Sequence, residues 1–365
     1  MHSTFKDIIS IHNIELKKYV TTLVNTVRAV FALMTFSVTI SVSAQTVTPA
    51  DSTSDTWTRK VAKEINAVLD TRDRMQQHKY DTAYISKPQQ RWTVKLRANV
   101  SGNALNTQGT VDGLDLRSRL RTDMKITAGA SVSYRGLSLG FALNPAKLAG
   151  RNKDIELNLN AYGNSVGGDV VMVATKTYKG TATANGTDYE VAAGAVSMKM
   201  ITATGYYAFN HRRFSIPAAF TQSQIQRRSC GSWLAGITFM AAEIKTAAGA
   251  VPGSDSSRLW FVSAAIGGGY GYNFVIDDRW LIHISAVPQI MIVTRGRFKA
   301  GDTSLHTPFR FPSLTSVGRI AVVRHFGNKF IGASAVINNF YIGDRDHLLV
   351  ENVKWRARLF YGFRF

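Results

Sequence analysis

His283 and Ser285 stand two residues apart in a stretch that alternates with Trp280, Ile282 and Ile284. Positions i and i+2 of an extended strand share a face, so the imidazole and the hydroxyl are neighbours on its polar side. A hydroxyl beside an imidazole is the start of a nucleophile–base pair, which still needs a third group to orient the ring. The chemistry would be acyl transfer, as in a lipid hydrolase. Polar residues on one face of a strand are equally expected where nothing is catalysed, so the pair stands as a weak catalytic candidate. Lys95, Arg97, Arg295, Arg319, Arg356 and Arg358 form a second set, all on the polar faces of alternating segments. Basic side chains lining a passage favour anions; the alternative is that they pair with the few inward acids and fill a closed interior.

Other chemical motifs are thinner. Gly267-Gly-Gly-Tyr-Gly271 lacks the Lys-Ser/Thr of a phosphate loop, and strand glycines more often mark a kink or close packing. Asp277-Asp278 and Asp344/Asp346 fall in turns without further ligands for a cation. His325 and His347 read as solvated, and Cys230 as an inert thiol. No cofactor and no metal is expected.

The elements that would position these residues have a period of two. Trp92, Val94, Leu96, Ala98 and Val100 face one way, and Arg91, Thr93, Lys95, Arg97 and Asn99 the other. The pattern recurs at 91–100, 124–134, 136–143, 155–162, 168–178, 196–209, 232–242, 259–272, 280–297, 313–326, 329–342 and 353–365. Strands of about 9–11 residues suit a transmembrane barrel, and bacterial barrels use even numbers of them. The expected fold is an all-β transmembrane antiparallel barrel of about 12 strands, within a range of about 10–14, preceded by a short N-terminal periplasmic helix. The segments 101–123, 144–154, 179–195, 243–258, 298–312 and 343–352 read as long outer loops. The connections on the other side read as tight turns. The exception is 210–231 (HRRFSIPAAFTQSQIQRRSCGS), which either folds into the lumen, sits beneath the barrel, or marks a miscounted strand. Trp92, Tyr134, Tyr206, Trp233, Tyr270, Tyr272 and Trp280 are placed at the periplasmic rim, and Phe141, Trp260, Tyr341 and Trp355 at the outer one, where aromatic belts form.

Composition agrees with a barrel. The 365 residues carry 44 Lys+Arg against 24 Asp+Glu, a formal +20, and 45% are hydrophobic with only 19% charged. A mean hydropathy of −0.06 follows when half of each strand faces lipid and half a polar lumen. The apolar content excludes a disordered chain, and Cys230 alone excludes a disulfide scaffold. The basic residues are scattered, without zinc-finger spacing or a basic heptad region, so nucleic acid is not an expected partner.

The two ends read as signals. Ala29 to Ile40 is a short apolar run after Lys17, Lys18 and Arg28, followed by Val42-Ser43-Ala44. This is the order of a Sec signal peptide, assigned to 1–44. Residues 45–88 are assigned to a periplasmic linker with an amphipathic helix over Trp57 to Gln77, and 89–365 to the barrel. In the last segment Trp355, Ala357, Leu359, Tyr361, Phe363 and Phe365 share an apolar face, with Phe360 the misfit. Leu359, Tyr361, Phe363 and Phe365 resemble the recognition strand read by the barrel assembly machinery of Gram-negative outer membranes.

Lys79-Tyr-Asp-Thr-Ala-Tyr-Ile85, Ser133-Tyr-Arg-Gly-Leu-Ser-Leu-Gly140, Asn144-Pro-Ala-Lys147, Gly205-Tyr-Tyr-Ala-Phe-Asn210 and Gly231-Ser-Trp-Leu-Ala-Gly236 together resemble the family catalogued as domain of unknown function 4421, over about residues 79 to 365. The resemblance implies an exported outer-membrane barrel of Bacteroidota-like bacteria and brings no activity or catalytic residue with it. The leading expectation is a small-solute pore, anion-preferring, or a structural barrel. The second is an anchoring or binding barrel that holds a partner through its outer loops or periplasmic helix, and the third a lipid-modifying hydrolase. Outer-membrane lipid and lipopolysaccharide are the expected surroundings, with Arg117, Arg119, Arg121, Lys147, Arg151 and Lys153 placed to meet phosphates.

Overall fold

The computed structural model describes residues 80–111, 114–134, 137–145, 154–251, 254–301, 303–305, 313–343 and 349–365. The signal peptide and the helix over Trp57 to Gln77 lie outside the described residues. The strands are β1 (Ile85–Ser86), β2 (Trp92–Val111), β3 (Leu114–Arg121), β4 (Lys125–Tyr134), β5 (Leu137–Leu143), β6 (Ile155–Tyr162), β7 (Val166–Ala184) and β8 (Thr187–Ala208). They continue as β9 (Ile225–Gln226), β10 (Cys230–Thr246), β11 (Ser257–Ile276), β12 (Trp280–Ala300), β13 (Thr303–Leu305), β14 (Leu314–Phe326), β15 (Lys329–Gly343) and β16 (Leu349–Arg364). One short helix, α1 (Ile216–Phe220), lies between β8 and β9.

Fourteen of the strands form one sheet, and it closes on itself where β16 pairs with β2 from Leu349↔Gln108 to Arg364↔Thr93. Closure leaves the long strands without an edge, the condition for crossing lipid with strands. The end carrying Trp92 and Phe365, whose backbones exchange two hydrogen bonds of 3.0 Å, is the near end; the paired residues Val111 and Leu114 and the hairpin at 184–187 mark the far end. The wall is built differently at the two ends. Towards the far end β3 bridges β2 and β7. Towards the near end β4 takes its place beside β2 and carries β5, while β6 lies against β7. The ladders recorded among the described residues do not join β5 to β6.

Two expected loops are strand. Residues 101–111 prolong β2 and 114–121 fold back on it. Residues 179–184 and 187–195 prolong β7 and β8 around Asn185 and Gly186, both at positive φ (47° and 81°). Asn-Gly is the pair a tight hairpin turn of this hand requires. The Thr-, Asn- and Gly-rich sequences read as loops because they are polar, yet a strand leaving the apolar belt can be polar on both faces. Arg117, Arg119 and Arg121 therefore sit on β3, exposed, and not on an open loop.

Burial is inverted relative to a protein designed for water on its outside. Leu96, Ile126, Ile155, Leu157, Phe239, Ile284 and Leu359 lie exposed on the outer surface, along with many other large apolar residues of the same parity. Trp92, Trp233, Tyr270 and Trp280 are exposed at the near end. An apolar band with an aromatic girdle is the lipid-facing surface of a membrane barrel. Tyr206 departs from its expected place at the rim: it points inwards, buried, and its hydroxyl donates to the Gly163 carbonyl at 2.7 Å. Trp355, expected at the outer rim, lies midway along β16, opposite Gly102.

Candidate functional site: a filled lumen

The interior has three layers. In the far half the wall's own inward residues meet across the lumen. Met198, Met200, Met240 and Met291 pack with Leu105, Leu259, Phe261, Phe340, Ile342 and Val350. The rings of Phe261 (β11) and Phe340 (β15) touch edge to face at 5.6 Å, although β12 and β14 stand between their strands in the wall. Flexible methionines fill irregular space of this kind.

In the near half the filling comes from the connection between β8 and β10. Phe214, Ser215, Ile216, Ala218 and Ala219 are fully buried inside the barrel. Ser215 caps α1, accepting from the Ala218 amide at 3.1 Å, and Pro217 occupies the first turn where it costs no hydrogen bond. The wall is cut to receive this plug. A Cβ on Gly271 would come within 2.9 Å of the Phe214 ring. Phe360, the misfit of the last strand's pattern, turns inwards and meets Phe330 (6.2 Å between centroids), and both belong to the plug's apolar cluster. Phe360 therefore breaks the alternation to complete that packing. Polar clamps complete the fit. Lys95 Nζ donates to the Thr221 carbonyl (3.0 Å) and to Gln222 Oε1 (2.6 Å), and Arg364 Nη2 donates to the Gln222 carbonyl (2.9 Å). Gln222 itself sits at φ 57°, a left-handed conformation that costs a side chain of order 1–3 kcal/mol and persists where its surroundings fix it. Below the plug, β1 pairs with β9, Asp81 accepts from Arg213 at 3.1 Å, and Arg213 lies 4.9 Å from the Tyr84 ring. Of the alternatives open for 210–231, two hold together: residues 214–224 lie in the lumen, and the flanking residues sit beneath it.

Between these apolar layers lies a polar one. Arg319 donates to Asp169 at 2.7 Å, and Tyr162 and Asn160 donate to the other oxygen of that carboxylate. Lys354 reaches Glu156 at 2.6 Å and Lys125 reaches Asp154 at 3.1 Å. Lys95, Arg97, Arg356 and Arg358 point into the lumen on the paired strands β2 and β16, and Arg358 donates to Asn99 at 2.7 Å. Arg295 does not join them. A bulge where β12 passes β11, at Ile292 and Val293, leaves both residues exposed and shifts the parity, so Arg295 points outwards. The contiguous apolar run Ile290 to Val293 conceals the shift, because either parity gives an apolar face.

His283 and Ser285 do face the lumen, and the structure adds Asn273. Asn273 Nδ2 donates to the Ser215 carbonyl (3.0 Å) and Gln226 Oε1 (2.9 Å). Its Oδ1 therefore faces His283 Nδ1 at 2.7 Å, which assigns the proton to Nδ1 and leaves Nε2 to accept from Ser285 Oγ at 2.9 Å. Hydroxyl, imidazole and orienting amide stand in the order of a nucleophilic triad. All three are buried, and the rings of Phe214 (5.8 Å) and Phe220 (5.3 Å) cover the imidazole. As it stands, the chain of bonds ties the plug to the wall. Sequence pattern missed Asn273 because a lone polar residue between Tyr272 and Phe274 is what any lumen-facing position would show. Leu359, Tyr361, Phe363 and Phe365 are exposed on the outer face of the last strand and beyond it. Cys230 is buried, with Asn210 donating to its sulfur at 3.1 Å.

Among solved structures, the outer-membrane protease OmpT from Escherichia coli is similar at 6% identity and a TM-score of 0.40, over 77% of this chain and 98% of that one. The translocator domain of the autotransporter NalP from Neisseria meningitidis aligns at 9% identity and a TM-score of 0.24, over 84% and 97%. The outer-membrane protein OprG from Pseudomonas aeruginosa aligns at 10% and 0.25, over 76% and 97%. No curated protein matches. Residues 79–365 match the family described as Domain of unknown function (DUF4421), and the chain belongs to that family.

Proposed function

We propose that the protein is a closed outer-membrane barrel that acts as an anchor, in preference to the solute pore suggested by its basic lining. The observation that carries this reading is the double filling of the lumen, by wall side chains in the far half and by the 214–220 plug in the near half. The outward apolar band supports residence in lipid, with the near end periplasmic. Export by the Sec route through the 1–44 signal, and delivery to the assembly machinery by Leu359, Tyr361, Phe363 and Phe365, belong to the same reading. So does contact of Arg117, Arg119 and Arg121 with lipopolysaccharide phosphates. The strap Tyr80–Ser86 is bonded to the segment below the plug, and in this reading the amphipathic helix over 57–77 holds the partner. Planar-bilayer recording of the purified barrel tests the anchor: a flat baseline is expected, and discrete conductance steps would return the pore. If deletion of 57–77 leaves every copurifying protein in place, that segment is not the holding element.

The Ser285–His283–Asn273 bonds favour a second reading, a lipid hydrolase active only with the plug displaced. A fluorophosphonate probe that never labels Ser285, in the intact barrel or after plug cleavage, removes it.

A further inference from the structure

Carboxylates and cations are unequally matched inside the barrel. Asp169 is occupied by Arg319, Glu156 by Lys354, and Asp154 by Lys125. Lys95, Arg97, Arg356, Arg358 and Arg364 have no carboxylate within ion-pair distance among the described residues. They crowd onto two adjoining strands. Asn99 faces Arg358 in the ladder and Arg97 faces Phe360, so Arg97 and Arg358 are diagonal neighbours on the same inward face. The guanidinium groups of Arg97, Arg356 and Arg358 lie within electrostatic reach of one another. Like charges gathered away from bulk water repel strongly, and buried charge is ordinarily matched. Part of their hydrogen-bonding capacity is also unspent. Arg97 Nε is buried without an acceptor, as are Arg364 Nε and Arg319 Nε elsewhere in the lumen. Arg97, Arg356 and Arg358 nevertheless keep part of their surface accessible inside the lumen, so free space lies against them. Arg356 also lines a small cavity with Lys354, Asn158 and Asn338, where the Asp169 carboxylate, held by Arg319, forms part of the wall.

We propose that the middle of the lumen is an oxyanion site, in which a small dissolved anion of the phosphate class is held by Arg97, Arg356 and Arg358, with Lys95 as a further positive charge. Planar guanidinium forks match the paired oxygens of phosphate-type anions. The anion would offset the unmatched charge and give the Arg97 guanidinium an acceptor. It also turns a lining that looked like a conduit into a holding site.

The test is calorimetric titration of the full-length barrel in detergent with inorganic phosphate, with ionic strength kept constant by chloride. Saturable binding is expected. Arg97→Gln with Arg356→Gln should weaken it at least tenfold, while Arg295→Gln, an outward guanidinium, should change it less than twofold. Circular dichroism shows whether the double variant still folds as strand. If it does not, phosphorus NMR of phosphate with the unmodified barrel serves as the readout: exchange broadening that a large excess of sulfate abolishes supports the site. No saturable uptake by the unmodified barrel overturns the proposal, as does uptake that the double variant retains in full. Binding seen only with micellar phosphatidylglycerol, and not with inorganic phosphate, overturns it in favour of a lipid headgroup. Conductance of the barrel bears on the anchor and leaves this site unaffected.

Discussion

The two halves of the lumen are filled by different means. The far half is sealed by the wall itself, with Met198, Met240, Met291, Phe261 and Phe340 projecting from strands that cannot move without breaking ladders. The near half is sealed by a separate segment, held by clamps at Lys95, Arg364 and Asn273 and by a few aromatic rings. The first seal has the stability of the barrel. The second has only the stability of its own docking, and such units open at lower free energy than the whole fold.

The largest expected effect comes from breaking both seals at once. Removal of the plug residues 214–224 alone leaves Phe261 against Phe340, and Phe261→Ala with Phe340→Ala alone leaves the plug. Neither should conduct in a planar bilayer, whereas their combination should give discrete, anion-preferring steps through Lys95, Arg97, Arg356 and Arg358. Conduction by the plug deletion alone would show that the far seal is no seal.

Next in size is the loss of one plug ring. Phe214→Ala should cost about 3–5 kcal/mol of packing, concentrated in the plug. Trypsin cleavage at the exposed Arg212, Arg213, Arg227 and Arg228 should then rise about a hundredfold with little change in the barrel's melting temperature. Phe261→Ala should do the reverse, lowering the melting temperature without exposing those sites. Equal behaviour of the two variants would erase the distinction between the halves.

Asp169→Asn leaves Arg319 charged and buried between the layers, a change worth about 3–5 kcal/mol. Glu243→Gln, on the partly solvated pairs with Lys245 and Arg258 at the far end, should cost about 1 kcal/mol or less. Chemical denaturation of both variants checks the contrast. The smallest effect is expected of Ser285→Ala, which removes one hydrogen bond of the plug's support, about 1 kcal/mol, read as a modest rise in the same trypsin cleavage.

The barrel was legible because its period is two and lipid exposes what water would bury. From that parity alone Lys95, Arg97, Arg319, Arg356 and Arg358 could be placed inside. Parity fails wherever the backbone counts differently from the sequence, and the bulge at Ile292 and Val293 carries Arg295 to the outside with no polar residue to announce it. The length of strands beyond the lipid band was also hidden, since Asn103 to Thr110 need not be apolar to remain in a ladder. The segment 210–231 stood out by its length, its charge and Pro217, yet nothing in its own sequence says that it turns inwards. The reason lies far away in the chain, at Gly271, Asn273 and Phe360, where the wall leaves room and offers partners. The Asn273–His283–Ser285 row was half visible for the same reason: spacing within one strand can be read, and pairing across strands cannot.

The plug is joined to the wall at both ends, running from β8 into β10. A segment anchored this way docks fastest before the ring has shut, because afterwards Phe214 and Phe220 have to pass Phe330, Phe360 and the Lys95 clamp from below. Its docking against Gly271 and Asn273 on β11 is therefore expected at the stage when β8 to β12 already form a curved sheet and β16 has not yet met β2. On this view the plug serves as a former around which the last strands are laid, and the barrel's width is set by what it closes upon.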